Sequence, residues 1–448
     1  MQCKTIVVIL PKKLSDMKEE ILAFVWNGRH YNRNILHTVD GENIEVIEVG
    51  TRNYDSGPDI FNARIRINGT LWAGNVEFHL RSSDWYHHGH HIDPAYDNII
   101  LHVVYESDTT IKRPCGAEIP ELELRGKMAA DFLEKYHYLM NNKKWVPCEN
   151  MLSGLDSIIC TSTAEAMFVE RYQRKAENII SMMDSFKLTW NEALYRKLAS
   201  NFGFKLNNIA FEVLAASIPL SIASKVRGNI EQLEALYFGQ SGLLDDAPSE
   251  PYADSLKKEY QYQQKRFNLK KMDKHIWKSM RTRPGNFPCI RIAQFAMLIH
   301  SASNLLNSLL ETENLYEIKK MFKISASSYW DTHRSFTTNS KFMPKTLGES
   351  AKDNIVINTV LPLLFAYSRA KDESSYIARA LKLIEELPAE DNTHIRKWKA
   401  LGVDIKNALF SQGFLELKNS YCARKKCLHC RIGNKILKQD VVISKGIS

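Results

Sequence analysis

The hydrophobic period of this chain changes near residue 131, and that change limits what it can fold into. Before it, apolar residues alternate or run in short blocks: Ile44–Val49, Ile60–Ile67, Leu71–Leu80 and Asn98–Tyr105. Val, Ile, Phe and Trp dominate these blocks, and Gly, Asn, Asp and Pro punctuate them, the pattern of a small sheet. After Asp131 a 3.6-residue period takes over, in Ala164–Met182, Asn191–Phe202, Ile230–Phe238, Ile290–Leu310, Ile355–Tyr367 and Ile377–Leu387. The expected architecture is therefore α+β: a small N-terminal mixed β-sheet domain followed by a large, mostly helical domain. Residues 1–16 read as an N-terminal extension, because Met17 opens the first amphipathic helix. The sheet domain then covers 17–130, the helical domain 131–417 and a basic, cysteine-containing tail 418–448.

At 448 residues there is room for substantial cores, and no apolar run approaches the roughly 18–20 residues of a membrane helix. Neither a membrane partner nor export is expected. Eight cysteines without an export signal point to the cytoplasm and to metal binding rather than disulfides. A net charge of +9 becomes a polyanion-binding signal only where it clusters.

Acids sit along the strand blocks: Glu48, Asp59 in Gly57-Pro58-Asp59, and Glu77 in Asn75-Val76-Glu77-Phe78-His79. Carboxylates on adjacent strands can converge on a hard cation, Mg²⁺ or Mn²⁺, which activates water against a phosphoryl group. His79 lies two residues past Glu77 and so on the same strand face. Pro58-Asp59 followed by Glu77-x-His79 resembles the PD-(D/E)xK nuclease signature, with His79 where that superfamily has Lys. The resemblance implies a restriction-endonuclease-like sheet domain, with Asp59 and Glu77 on the metal and His79 orienting water or touching phosphate. It makes Glu48, or Glu20 of the first helix, an auxiliary acid. The segments SGPDIFNARI, GTLWAGNVEFHLRSSDW, DPAYDNIILHVVY, RPGNFPCIRIAQFA and YCARKKCLHCRIG resemble the bacterial DUF2851 family across most of the chain, a resemblance that carries no function with it.

Three further stretches stand out. His79, His87, His88, His90, His91 and His102 crowd into 24 positions, with Asp93 and Asp97 nearby; they read as a polar loop, a transition-metal site or phosphate contacts. Residues 265–291 carry nine Lys or Arg against Asp273, with Phe267, Trp277 and Phe287 interleaved. Lys270, Lys271, Lys274, Lys278, Arg281 and Arg283 there are candidate nucleic-acid contacts; the alternative is a basic helix face with its aromatics in the core. In the tail, Cys422-x4-Cys427-x2-Cys430 has spacing suited to Zn²⁺ or an iron–sulfur cluster. A fourth ligand could come from His429, Cys148, Cys160 or Cys289, and Arg424, Lys425 and Lys426 add phosphate contacts. The expected function is a divalent-metal-dependent nuclease-like protein acting on nucleic acid. The alternatives are an inactive nucleic-acid-binding or scaffold protein and a metal-dependent hydrolase of a small substrate.

Overall fold

The computed structural model describes residues 17–113, 115–128, 130–279 and 284–438. The expected extension 1–16, and Arg281 and Arg283 of the basic stretch, lie outside the described residues. The chain divides into two compact units. One comprises residues 1–163, 397–404 and 415–448; the other comprises 164–396 and 405–414.

The first unit is built on a six-stranded mixed sheet of order β1-β3-β4-β5-β6, with β2 also on β3. The strands are β1 (Ile44–Glu48), β2 (Thr51–Arg52), β3 (Ile60–Ile67), β4 (Thr70–Arg81), β5 (Ile99–Glu106) and β6 (Glu121–Glu123). Asn68 and Gly69 turn β3 into β4 with positive φ at both residues, the backbone of a tight hairpin. The first half of β4 is an exposed ribbon on β3; from Asn75 onward it runs parallel to β5 and is mostly buried. Gly74 sits at that change. A Cβ there would fall 2.4 Å from Ile100 Cγ2 and 2.8 Å from the Asn98 carbonyl, so β4 can swing onto β5 only without a side chain at this point. β5 is buried along nearly its whole length, as a strand with a parallel neighbour on either side requires.

Helix α1 (Glu20–Asn27) covers the sheet with Ile21, Leu22, Val25 and Trp26. The Trp26 indole donates to the Val49 carbonyl at 2.9 Å and meets Phe78 edge-on. A one-turn helix, α2 (Asp84–His87), follows β4, and α3 (Ala130–Asn141) starts where the hydrophobic period changes. Compactness divides the chain elsewhere, because α3 packs on the sheet unit: Phe132 stacks on Phe24 of α1 at 5.7 Å. The C-terminal segment belongs to this unit as well, instead of standing apart as a tail.

The second unit is mostly helical. Phe295 of Pro288–Ser301 packs among Trp190–Phe202, Phe204–Ser217 and Ile230–Gln240, its ring 5.4–6.3 Å from those of Tyr195, Phe202, Phe211 and Tyr237. The basic stretch lies in this unit and differs from its sequence reading. Trp277 is buried and donates to the Ser241 carbonyl at 3.0 Å, and Phe267 and Phe287 pack on the core. Lys271 pairs with Asp245 and Lys274 with Asp246, acids that a window of residues 265–291 leaves out. Lys270 and Lys278 remain exposed.

Glu234 is fully buried in this unit and accepts from Tyr252 and Ser327, each at 2.8 Å. Burial pushes its pKa up to about 7. The folded state therefore holds a proton that the unfolded chain releases near pH 4.5, and stability falls as pH rises from about 4.5 to 7. Glu234→Gln should flatten that slope, which over the window amounts to roughly 3 kcal/mol. Denaturant melts at pH 4.5, 6 and 8 check it; parallel pH dependences for the two proteins would contradict it.

Candidate functional site

Asp59 is held by its own loop. Gly57 takes a φ of +95°, and Asn53 Nδ2 donates to the carbonyls of Asp55, Ser56 and Pro58 at 3.0–3.2 Å. The Asn53 N–H then donates to the Asp59 carbonyl at 2.8 Å. This pinned turn delivers Asp59 to the entry of β3, beside the inner half of β4. There the two acids exchange backbone contacts: the Asp59 N–H donates to Glu77 Oε2 at 3.0 Å and the Phe78 N–H donates to Asp59 Oδ2 at 3.2 Å.

A third acid, in the turn before α1, lies within electrostatic reach of both. It is Glu19 and not Glu20, which is exposed and faces His429 at 3.7 Å. Burial raises the pKa of all three acids. Glu77 rises to about 9, through desolvation first and then the charges of Asp59 and Glu19. Asp59 rises despite Arg52, and Glu19 rises despite His88. Arg52 Nη2 pairs with Asp59 Oδ1 at 3.1 Å, whereas its Nη1 is buried without a partner among the described residues. Glu48 does not join: it is exposed at the strand edge and pairs with Arg64 at 3.3 Å.

His79 is buried behind Glu77 with both ring nitrogens engaged. Nδ1 lies 2.8 Å from His102 Nε2, and Nε2 lies 3.0 Å from His88 Nδ1. His102 Nδ1 in turn lies 2.8 Å from Glu121 Oε2, and Ser82 Oγ donates to Glu121 Oε1 at 2.7 Å. The tautomers follow from the far end. A Glu121 carboxylate can only accept, so His102 carries its proton on Nδ1 and accepts on Nε2. His79 must then donate from Nδ1 and accept at Nε2 from His88 Nδ1–H. That leaves a lone pair on Nε2 of His88, the exposed end of the relay. Burial and the neighbouring imidazoles lower His79 to about 2 and His90 to about 4, so both are neutral.

The histidine grouping differs from the sequence reading. Gly89, at φ +77°, breaks the i, i+3 pairs. The residues that meet are His79, His88 and His90, whose ligand nitrogens lie within 4.8 Å of one another. His90 Nε2 stands 3.4 Å from Glu77 Oε1 and its ring stacks on Tyr96 at 3.8 Å. His87 is exposed beside Asp84, His91 packs on Tyr86, and Asp93 caps a turn at the Ala95 N–H.

Cys422, Cys427 and Cys430 lie in the same unit, with free thiols, as do the exposed Arg424, Lys425 and Lys426. Sequence reasoning missed Glu19, Arg52 and Glu121, and counted His102 without a role. A lone histidine inside the apolar run of β5 was the available signal for His102, because a buried imidazole needs partners.

An acid cluster with raised pKa values beside a carboxylate-anchored imidazole relay, on a mixed sheet, defines the class of site. The chain belongs to the family described as protein of unknown function (DUF2851), whose model matches residues 19–393. No curated protein and no solved structure gave a significant match. Among the described residues, no single helix is long and apolar enough to cross a membrane.

Proposed function

We propose that this protein is a divalent-metal-dependent phosphodiesterase acting on nucleic acid, with the site at Glu19, Asp59 and Glu77. The observation that carries the reading is the pairing of Asp59 and Glu77, joined by two reciprocal backbone hydrogen bonds beside Arg52, with Glu19 within electrostatic reach of both. Such a donor set fits a cation: closely placed buried carboxylates otherwise take up protons. The imidazoles beside Glu77 soften the oxygen set, which favours Mn²⁺ over Mg²⁺. When bound, the ion would polarise a phosphoryl oxygen and lower the pKa of an attacking water.

The chain's own groups do the rest. Arg52, whose side chain is partly exposed and lines a groove, is placed to donate to a phosphate oxygen. His79 cannot contact substrate as the sequence suggested, since it is buried and fully hydrogen-bonded. The proton-accepting role passes outward to His88 Nε2, with His79, His102 and Glu121 fixing its orientation. The resemblance to the PD-(D/E)xK signature fits this reading with one change: the neutral His79 cannot supply the charge of a lysine, and Arg52 does.

A second reading rests on the nitrogens of His79, His88 and His90, which would suit a zinc-dependent hydrolase of a small substrate. Incubation of the purified protein with labelled single- and double-stranded DNA and RNA, in Mn²⁺, Mg²⁺, Zn²⁺ or EDTA, separates the readings. Cleavage in Mn²⁺ that EDTA abolishes is expected. Zinc-dependent hydrolysis of a small phosphodiester with every nucleic acid intact favours the second reading. Salt-sensitive nucleic-acid binding without cleavage in any metal means an inactive binding protein.

A further inference from the structure

We propose that Cys148, Cys422, Cys427 and Cys430 together hold one thiophilic metal centre, and that this centre fixes the C-terminal segment as a wall of the groove beside the carboxylates. Sequence spacing supplies three of these thiols; the fold selects the fourth. Cys148 is buried within the same unit, on a segment that the C-terminal lysines grip. Lys418 Nζ donates to the Trp145 carbonyl at 2.8 Å and Lys425 Nζ donates to the Met140 carbonyl. Cys148 also lies within electrostatic reach of all three C-terminal thiols.

The other candidate ligands fall away. His429 is exposed and turned to Glu20. Cys289 lies in the second unit. Cys160 is half-buried and influences only Cys430 of the set.

The local backbone is shaped to present sulfur. Cys422–Arg424 and Cys427–His429 are short 3₁₀ turns joined through Lys425, which adopts a left-handed conformation at φ +51°. The Cys430 N–H donates to the Cys427 carbonyl at 3.3 Å, and the N–H groups of Ile432 and Gly433 point at the Cys430 sulfur. Those amides open the C-terminal helix Arg431–Lys438, so the Cys430 sulfur faces the helix's N-terminal end. A Cβ on Gly433 would fall 2.2 Å from the Cys427 carbonyl oxygen; only glycine lets the helix press this closely on the knuckle.

All seven described cysteines of the chain are free, and Cys148, Cys427 and Cys430 are buried. A metal turns the repulsion among four thiolates into attraction and releases their protons. The residual negative charge sits in fitting surroundings, because residues 418–438 carry seven Lys or Arg and no acid. Four thiolates are the donor set of a zinc ion or an iron–sulfur cluster; these four do not form a group with sulfurs within 4.8 Å, as His79, His88 and His90 do with their nitrogens, so the wider cluster fits them better than a single zinc ion.

The consequence for the groove rests on the phosphodiesterase reading; the metal centre does not. Leu428, His429 and Lys438 face Phe24 and Arg52 across a groove of about 370 Å³, and Arg52 is the partner of Asp59. Lys438 Nζ stands 5.9 Å from the centre of the Phe24 ring. Losing the centre would free that wall.

The test uses the full chain purified without oxygen. Zinc, iron and acid-labile sulfide are measured, with the visible spectrum. About one zinc per chain, or iron with matching sulfide and a visible charge-transfer band, is expected, and the two outcomes identify the metal. Cys148→Ser should lower the metal content at least fivefold, as should Cys427→Ser, whereas Cys160→Ser leaves it unchanged. Serine variants can misfold, so wild-type protein is also alkylated with and without a chelator and mapped by mass spectrometry. Protection of these four cysteines together, lost together on chelation, is expected. Metal-free protein, full metal content in Cys148→Ser, or alkylation of the four that ignores the chelator would overturn the proposal. None of these results bears on cleavage at the carboxylates, so the two readings fail separately.

Discussion

Glu77→Gln is expected to lower metal-dependent phosphodiester cleavage by about a thousandfold or more while leaving the protein folded. The loss corresponds to the several kcal/mol of transition-state charge stabilisation that a divalent ion supplies. The fold survives because glutamine copies the acid in the form it already prefers. Glu77 is held up to about 9, so at neutral pH it carries a proton, and an amide oxygen can keep the 3.0 Å bond from the Asp59 N–H. Its raised pKa also destabilises the metal-free wild type as pH climbs from about 4.5 toward 9, since the folded state binds a proton that the unfolded chain has lost. The glutamine variant lacks that term. Without added metal it should melt at or above the wild-type temperature at pH 8. Thermal melts and single-turnover cleavage on the same preparations check both halves. A glutamine variant that cleaves within tenfold of wild type would remove Glu77 from the chemistry.

The second large effect lies behind the site. His102 is fully buried in β5, between Glu121 and His79. His102→Ala removes the donor to Glu121 Oε2 and the acceptor for His79 Nδ1 at once, and it opens a cavity inside the sheet. One unsatisfied buried group costs about 1–3 kcal/mol and the cavity adds to that, so a loss of about 3 kcal/mol or more is expected. His102→Gln can still bridge the two neighbours and should recover part of it. Under the relay account His102→Ala also changes the pH profile of cleavage, because His88 loses its fixed tautomer, whereas a bridging His102→Gln keeps it. Urea unfolding and pH–rate profiles separate the two roles. If stability falls and the pH profile stays put, the imidazoles are structural only.

The split into sheet and helices was legible, because period-two and 3.6-residue patterns are local and α3 begins at Ala130, beside the change of period. Asp59, Glu77 and His79 were legible as a spacing. What the spacing could not carry was the choice among neighbours. Glu19 and Glu20 differ by one residue, and the geometry at the start of α1 decides which acid turns inward. Glu48 reads as a strand acid like Glu77, but β1 is an edge strand and its acid faces Arg64. The basic stretch misled for a related reason: Asp245 and Asp246 are distant in sequence from the lysines they neutralise. Cys148 sits 274 positions before Cys422 by the numbering, and only tertiary folding brings it to the others.

The most direct measurement of the central claim is calorimetric titration of Mn²⁺ into metal-free carboxylate sites of wild type, Asp59→Asn and Glu77→Gln. Saturable binding to wild type that both variants lose is the predicted result. Equal Mn²⁺ affinity in all three proteins would contradict the account, because these acids would then not be what holds the ion.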